Sequence, residues 1–252
     1  MLLRSLALIG LAAASFSVAA QTAVDAFDRG WYNRSFVGST TGPVFHNPDN
    51  TNYFTGLDFT AQNVGAGYRS FFAFDLSSFA GQTITSATLH LFNPIGSFFQ
   101  FNPAANSGPF ETLQIFDVTT SAATLLAGGG GEAAFDDLGT GVSFGTVNAS
   151  LADNNSFIDI VLNADGLAAV NAAAGGSILF GGRLTSIDAG AGTQRLFAFS
   201  NPDMVAMSGT QLLLTATAPI PEPETYAMLL AGLALLGFQA RRRNGRAKGR
   251  AA

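Results

Sequence analysis

Tyr68-Arg69-Ser70-Phe71-Phe72-Ala73-Phe74-Asp75-Leu76 is the stretch that decides the fold. Read with a period of two, Tyr68, Ser70, Phe72, Phe74 and Leu76 share one face, and Arg69, Phe71, Ala73 and Asp75 share the other. Successive side chains of a strand point to opposite sides of its sheet, so this spacing predicts a strand with one strongly apolar face. Thr85 to Phe92 repeats the pattern, Ala87, Leu89 and Leu91 alternating with Ser86, Thr88 and His90. Further strands are expected at Thr112 to Val118, Phe157 to Leu162, Ser177 to Phe180, Arg195 to Phe199 and Gln211 to Thr217, with Gly, Asn, Asp and Pro clusters as the turns between them. Every Phe except Phe16 and Phe238 lies in this region, and aromatic residues suit a pleated, half-buried surface. The expectation is an all-β chain: one β-sandwich, jelly-roll-like, over residues 21–218. One short helix belongs to it, capped by Asp165, running from Gly166-Leu167 through the alanines to Ala174 and stopped by Gly175-Gly176.

Three segments of this body, Asn50-Thr51-Asn52-Tyr53, Arg69 to Ser78 and Ile84 to Leu91, resemble secreted β-sandwich domains of the DNRLRE type, which are related to carbohydrate-binding modules. The resemblance implies a strand, turn, strand unit and carries over no ligand site.

Outside the body, both ends read as addresses. Met1 to Ala20 has one early charge, Arg4, an apolar stretch from Leu6 to Leu11, and Val18-Ala19-Ala20 before Gln21. That is the layout of a secretory signal peptide over residues 1–20, with the secretion machinery as partner. At the other end stand Pro221-Glu222-Pro223, sixteen uncharged residues from Thr225 to Ala240, and Arg241-Arg242-Arg243. As a helix at about 1.5 Å per residue, 225–240 would cover about 24 Å against a hydrocarbon core of about 30 Å, short but workable as a transmembrane helix. Arginines at one border can snorkel, and Tyr226 suits the opposite interface.

In order and content, residues 219–252 resemble the PEP-CTERM sorting signal of Gram-negative bacteria. The match rests on Pro221, Glu222 and Pro223 as the motif and on Arg241, Arg242 and Arg243 as the membrane stop, with Ile220 where the family usually has Val. The resemblance implies an exosortase as partner, cleavage near the motif, and passage through the inner membrane to the cell surface or extracellular polysaccharide.

Charge narrows the function further. The body keeps five arginines, no lysine and fifteen carboxylates between Gln21 and Ala218, a formal charge of −10. Such a surface repels phosphate backbones, which argues against a nucleic-acid partner. The absence of cysteine rules out thiolate metal sites, cysteine nucleophiles and disulfides.

Catalytic patterns are sparse. Gly141-Val142-Ser143-Phe144-Gly145 fits G-x-S-x-G, yet His46 and His90, the two histidines, both precede Ser143, the reverse of the α/β-hydrolase order. His90 reads as a solvent-facing strand residue and His46 as a loop residue. Gly128 to Gly131 lacks the Lys-Ser or Lys-Thr of a phosphate loop and reads as a flexible loop. Glu132, Asp136 and Asp137 fall in one expected loop, where oxygen ligands suit calcium, the one cofactor the sequence suggests; the alternative is a solvated acidic loop. Trp31, Tyr32 and Tyr53 can stack on sugar rings as a platform or pack into the core. The expected function is an exported, non-enzymatic surface or matrix protein associated with exopolysaccharide or biofilm. A calcium-dependent carbohydrate-binding module is the alternative, and a secreted hydrolase stands behind both.

Overall fold

The structure, a computed structural model, describes residues 21–100, 108–198, 200, 206–217 and 228–239. Its strands are β1 (Gln21–Val37), β2 (Thr40–Phe45), β3 (Thr55–Ala61), β4 (Val64–Asp75), β5 (Thr83–Asn93), β6 (Phe99–Gln100), β7 (Phe110–Asp117), β8 (Ser143–Ser150), β9 (Ser156–Val161), β10 (Ser177–Leu184), β11 (Gln194–Leu196) and β12 (Thr210–Thr217). Helices α1 (Ala122–Leu126), α2 (Gly131–Asp137) and α3 (Ala164–Ala172) lie in the connections. All described pairings are antiparallel. The all-β sandwich expected from the sequence is what forms.

One strand belongs to both layers. Gln21 to Asp25 of β1 pair with β12, and from Ala26 onward β1 pairs with β4 after a register shift between Ala26 and Asp28. A bulge of this kind bends a strand and increases its twist, which is how one segment can pass from one sheet layer to the other. The first layer continues from β12 to β5 and β9, and the second from β4 to β10, β7 and β8. Between the layers Phe72, Phe74 and Leu76 meet Leu89 and Leu91 of β5, Ile158 and Ile160 of β9, and Leu212 and Leu214 of β12. Each fully buried side chain of this size contributes about 1.5–3 kcal/mol, so this face of β4 is a principal source of stability.

Contrary to a one-sided reading, β4 is buried on both faces. Phe71 packs with Tyr32, Leu125, Ala134, Phe135 and Leu138 in a second, smaller cluster, which α1 and α2 close from outside. Glu132, Asp136 and Asp137, expected in a loop, therefore lie in the short helix α2, which the Gly128 to Gly131 stretch leads into. Ser121 caps α1 by accepting from the Thr124 amide at 3.2 Å, and Gly130, at φ 83°, makes the left-handed entry to α2 that a side chain would oppose. The helix expected near Gly166 is α3, but Asn163 and not Asp165 caps it, its side chain accepting from the Gly166 amide at 2.9 Å. Asn171 of α3 then bonds both backbone groups of Ile84, the amide at 2.9 Å and the carbonyl at 2.8 Å, docking the helix beside β5.

A fork in the second layer matters for function. Along the same edge of β4, β3 covers Val64 to Tyr68 and β10 covers Ser70 to Asp75. Arg69 stands where one neighbour hands over to the other, and β3 and β10 part company there.

Ala218–Ala252 forms a second compact unit. Its described part is a helix over 228–239, whose Met228, Leu229, Leu230, Leu233, Leu235, Leu236 and Phe238 are exposed. Of the spanning helix expected over 225–240, residues 228–239 are described and helical; among the described residues no helix is long and apolar enough to cross a membrane. The signal peptide, the Pro221-Glu222-Pro223 motif and the Arg241-Arg242-Arg243 cluster lie outside the described residues.

Phe72 and Phe27 give a contrast that tests this core. Phe72 is completely buried and Phe27 is half-exposed. Phe72→Ala is expected to cost about 3–5 kcal/mol in urea unfolding, and Phe27→Ala less than about 1 kcal/mol.

Candidate functional site

The fork beside Arg69 opens into a cleft of about 470 Å³, lined by β1 and its hairpin, β3, β4, α2 and β10. Three of the five arginines of the body, Arg34, Arg69 and Arg183, line it together. Their convergence has a local cause. Arg34 and Arg69 come from paired strands, Arg34 opposite Gly67, and Arg183 follows the β10 residues that pair with Phe71 and Ser70. Gly139 fits between two of these side chains: a Cβ there would lie 2.8 Å from Arg69 Nε and 2.8 Å from Arg183 Cδ. A larger residue would push them apart.

The end of α2 anchors the arginines. Arg69 Nη1 donates to the Phe135 and Asp136 carbonyls at 2.7 and 2.9 Å, and Arg183 Nη1 to the Gly139 carbonyl at 3.0 Å. Cations are favourable at a helix C-terminus, where unpaired carbonyls carry partial negative charge. The Phe135 ring lies under Arg34 at 4.7 Å and Arg69 at 4.3 Å, two cation–π contacts. Asp136 Oδ1 pairs with both arginines, at 3.4 and 3.3 Å. Burial pulls the Arg69 guanidinium down to about 10, against the pull of Asp136, with Arg183 and Arg34 adding repulsion; it stays charged at neutral pH. The Nε and Nη2 atoms of the three arginines have no protein partner, and none is sealed from solvent.

Glu132, Asp136 and Asp137 sit on α2, not in a loop, and do not converge on one point. Asp136 serves the arginines, and Asp137 accepts from the Thr119 and Thr120 amides at 2.9 and 2.6 Å and from the Thr119 hydroxyl at 2.8 Å. Among the described residues no three His, Asp or Glu side chains are grouped to hold a metal.

The three aromatic residues are separated in the same way. Tyr32 and Tyr53 are fully buried. The Tyr32 hydroxyl lies 2.7 Å from the Leu125 carbonyl and 2.9 Å from that of Gly129, and burial pushes it up to about 12. Tyr53 donates to the Phe92 carbonyl at 2.5 Å and takes Arg29 over its ring at 4.9 Å. Trp31 alone is partly exposed: it packs edge-on to Tyr68, ring centroids 5.3 Å apart, and lines a smaller cleft of about 240 Å³ with Asn52, Phe54, Asp58, Tyr68 and Arg195. Tyr68 lines both clefts. Strand alternation could have told Trp31 from Tyr32, which are neighbours and so face opposite sides.

Both histidines are engaged elsewhere than near a nucleophile. His90 stacks on Phe157 at 3.8 Å and bonds Asp159, its cross-strand partner. His46 Nδ1 lies 2.7 Å from the Trp31 carbonyl, the ring stacks on Tyr32 at 4.6 Å, and burial holds its pKa below the ordinary value. The expected loop histidine is thus packed against the second cluster. Ser143 opens β8 in cross-strand register with Phe116.

Asp137 supplies a pH test. Burial by itself raises its pKa, but hydrogen bonds from Thr120 and Thr119 outweigh it and hold the carboxylate below its ordinary value. The stabilisation is therefore present above the unfolded pKa of about 3.9 and lost as pH falls through the lower folded value. Asp137→Ala is expected to cost about 1–2 kcal/mol at neutral pH. In urea unfolding from pH 7 to pH 2, the gap from the parent should close below about pH 4.

No curated protein matches the chain. The DNRLRE-type resemblance of the body is not confirmed by these comparisons. At the other end residues 219–243 match the family model described as the PEP-CTERM protein-sorting motif. The chain thus carries a PEP-CTERM sorting signal, which makes it an exosortase substrate exported toward the cell surface.

Proposed function

We propose that the exported protein is a non-enzymatic component of the cell surface of a Gram-negative bacterium, held in its exopolysaccharide or biofilm matrix through the β-sandwich. The observation that carries the reading is the sorting motif at 219–243, because it fixes an exported destination whatever the body does. The body suits that destination. It has no cysteine to misoxidise, and its acidic, lysine-free composition keeps it soluble and discourages adhesion to anionic lipid.

A binding role is favoured over a catalytic one by how the polar groups are used. His46 bonds the Trp31 carbonyl and His90 bonds Asp159, neither of them Ser143, and Glu132, Asp136 and Asp137 are spread along one short helix. Trp31 and Tyr68, by contrast, present partly exposed rings at a cleft with amide, carboxylate and guanidinium groups beside them, the mixture that sugar recognition uses. Calcium plays no part in this reading.

Mass spectrometry of the native protein from envelope and medium tests it. The expected mature chain begins at Gln21 and ends near Pro221-Glu222-Pro223, without Arg241-Arg242-Arg243. A surface-located protein that keeps its basic tail would overturn exosortase processing. Hydrolysis of esters or glycosides that disappears in Ser143→Ala would overturn the non-enzymatic role.

A further inference from the structure

We propose that the cleft at the β3–β10 fork binds the carboxylate of an acidic sugar, so that the ligand of the body is a uronate-bearing polysaccharide. The inference rests on the matrix reading above and gives it a ligand class and a site.

The charge argument comes first. Within a body of formal charge −10, three of the five cationic side chains line one cleft, and one carboxylate, Asp136, is paired with two of them. These four groups sum to plus two. Asp58, between the lining residues Leu57 and Phe59, is paired with Arg195, and Asp137 is engaged by Thr119 and Thr120; charges more than about 8 Å away are largely screened at physiological ionic strength. Near the cleft the arginines prevail, and an anion is attracted to a protein that repels anions generally.

Next comes unused hydrogen-bonding capacity. Each arginine bonds the protein through Nη1 alone, and Nε and Nη2 remain solvent-accessible and unpartnered. A guanidinium edge of this kind matches the two oxygens of a carboxylate. Arg69 is held by carbonyls at the end of α2 and Arg183 by the Gly139 carbonyl just beyond it, so both are fixed before any ligand arrives. Arg34 lies over the Phe135 ring and is otherwise tied by the 3.4 Å pair with Asp136, whose side chain is 52% exposed. Pairs so exposed contribute little, at most about 1 kcal/mol, so a ligand carboxylate can displace this one.

The rest of the lining selects a sugar over a bare anion. Phe36, Phe59 and Tyr68 offer apolar ring surface, and Ser39, Thr41 and Thr185 offer hydroxyls. The volume falls within the range of about 300–1,000 Å³ typical of small-molecule clefts. Because Tyr68 also lines the smaller Trp31 cleft, a polymer seated on the arginines has a second aromatic surface along its path.

Calorimetry on the purified full-length chain tests the proposal, with a galacturonate trimer, a neutral galactose trimer and inorganic phosphate as probes. The uronate trimer should bind, the neutral trimer about 10-fold more weakly or not at all, and phosphate should fail to compete. Arg34→Gln should weaken uronate binding about 10-fold, the loss of one charge-assisted contact, with the melting temperature unchanged. Asp136→Asn should tighten it several-fold, since it removes the competing carboxylate. A site whose only role is to fix α2 predicts no tightening. Equal affinity for both trimers, no binding, phosphate competing as well as uronate, or unchanged affinity in both variants would overturn the site. If uronate binds but the protein is not retained in the producer's matrix, the matrix reading fails and the site stands. If retention persists unchanged in Arg34→Gln, the site fails and the matrix reading stands.

Discussion

Everything in the body depends on β4 being buried from both sides. Phe72 and Phe74 face the space between the two sheet layers, and Phe71 faces the opposite way into the cluster with Tyr32 and Phe135. A strand with large apolar groups on both faces must have a cover for each, and the first sheet layer supplies only one. The short helices α1 and α2 supply the other, and carbonyls at and just beyond the end of α2 bring in Arg69 and Arg183. The cleft is thus a consequence of how the second face of one strand is sealed.

The arginines show how an acidic body uses its few cations. Arg29 is completely buried, donating to the Thr51 and Ala206 carbonyls and the Thr210 hydroxyl, with the Tyr53 ring against it. Arg195 pairs with Asp58 at 3.1 Å beside the Trp31 cleft. The remaining three stand together. Like charges that share a cleft repel, and burial disfavours the Arg69 guanidinium further, so the grouping costs stability in the absence of compensation. Asp136, the Phe135 ring and the α2 carbonyls offset part of that cost. A chain free to place its arginines anywhere on a negative surface would gain more by scattering them, so their grouping points to a ligand.

Most of the sandwich was legible because its inner strands alternate cleanly. β4, β5, β7, β9, β10 and β12 all overlap stretches that show period two in the sequence. β1, the longest strand, was not legible. It carries Asp25, Asp28, Arg29 and Gly30 in its middle, and its register shifts between Ala26 and Asp28 where it changes layer, so no single period runs through it. Buried Arg29 reads as surface until its partners from Thr51 and Thr210 are known. The α2 segment was hidden by the glycines before it, and a seven-residue helix gives too few turns for its period to register. The arginine cleft had no local trace, because Arg34, Arg69 and Arg183 come from three strands whose adjacency only the pairing reveals. A compositional hint existed: in a lysine-free domain, each arginine needs a reason.

Sorting and binding are therefore read from different physics. The tail motif is a linear signal, legible because the Pro221-Glu222-Pro223 motif, an apolar run and a basic cluster are adjacent in the chain. Any exported body could precede it, so it constrains destination and leaves the ligand open. The cleft is the converse, assembled across strands and indifferent to where the protein is sent. On the matrix reading proposed above, this acidic protein meets mostly neutral or acidic polymers. Neutral ones can be held by aromatic rings alone, whereas acidic ones need a local reversal of the protein's own charge. Three guanidinium groups lining one cleft, two of them over Phe135, are that reversal, which joins the destination encoded in the tail to the chemistry built at the fork.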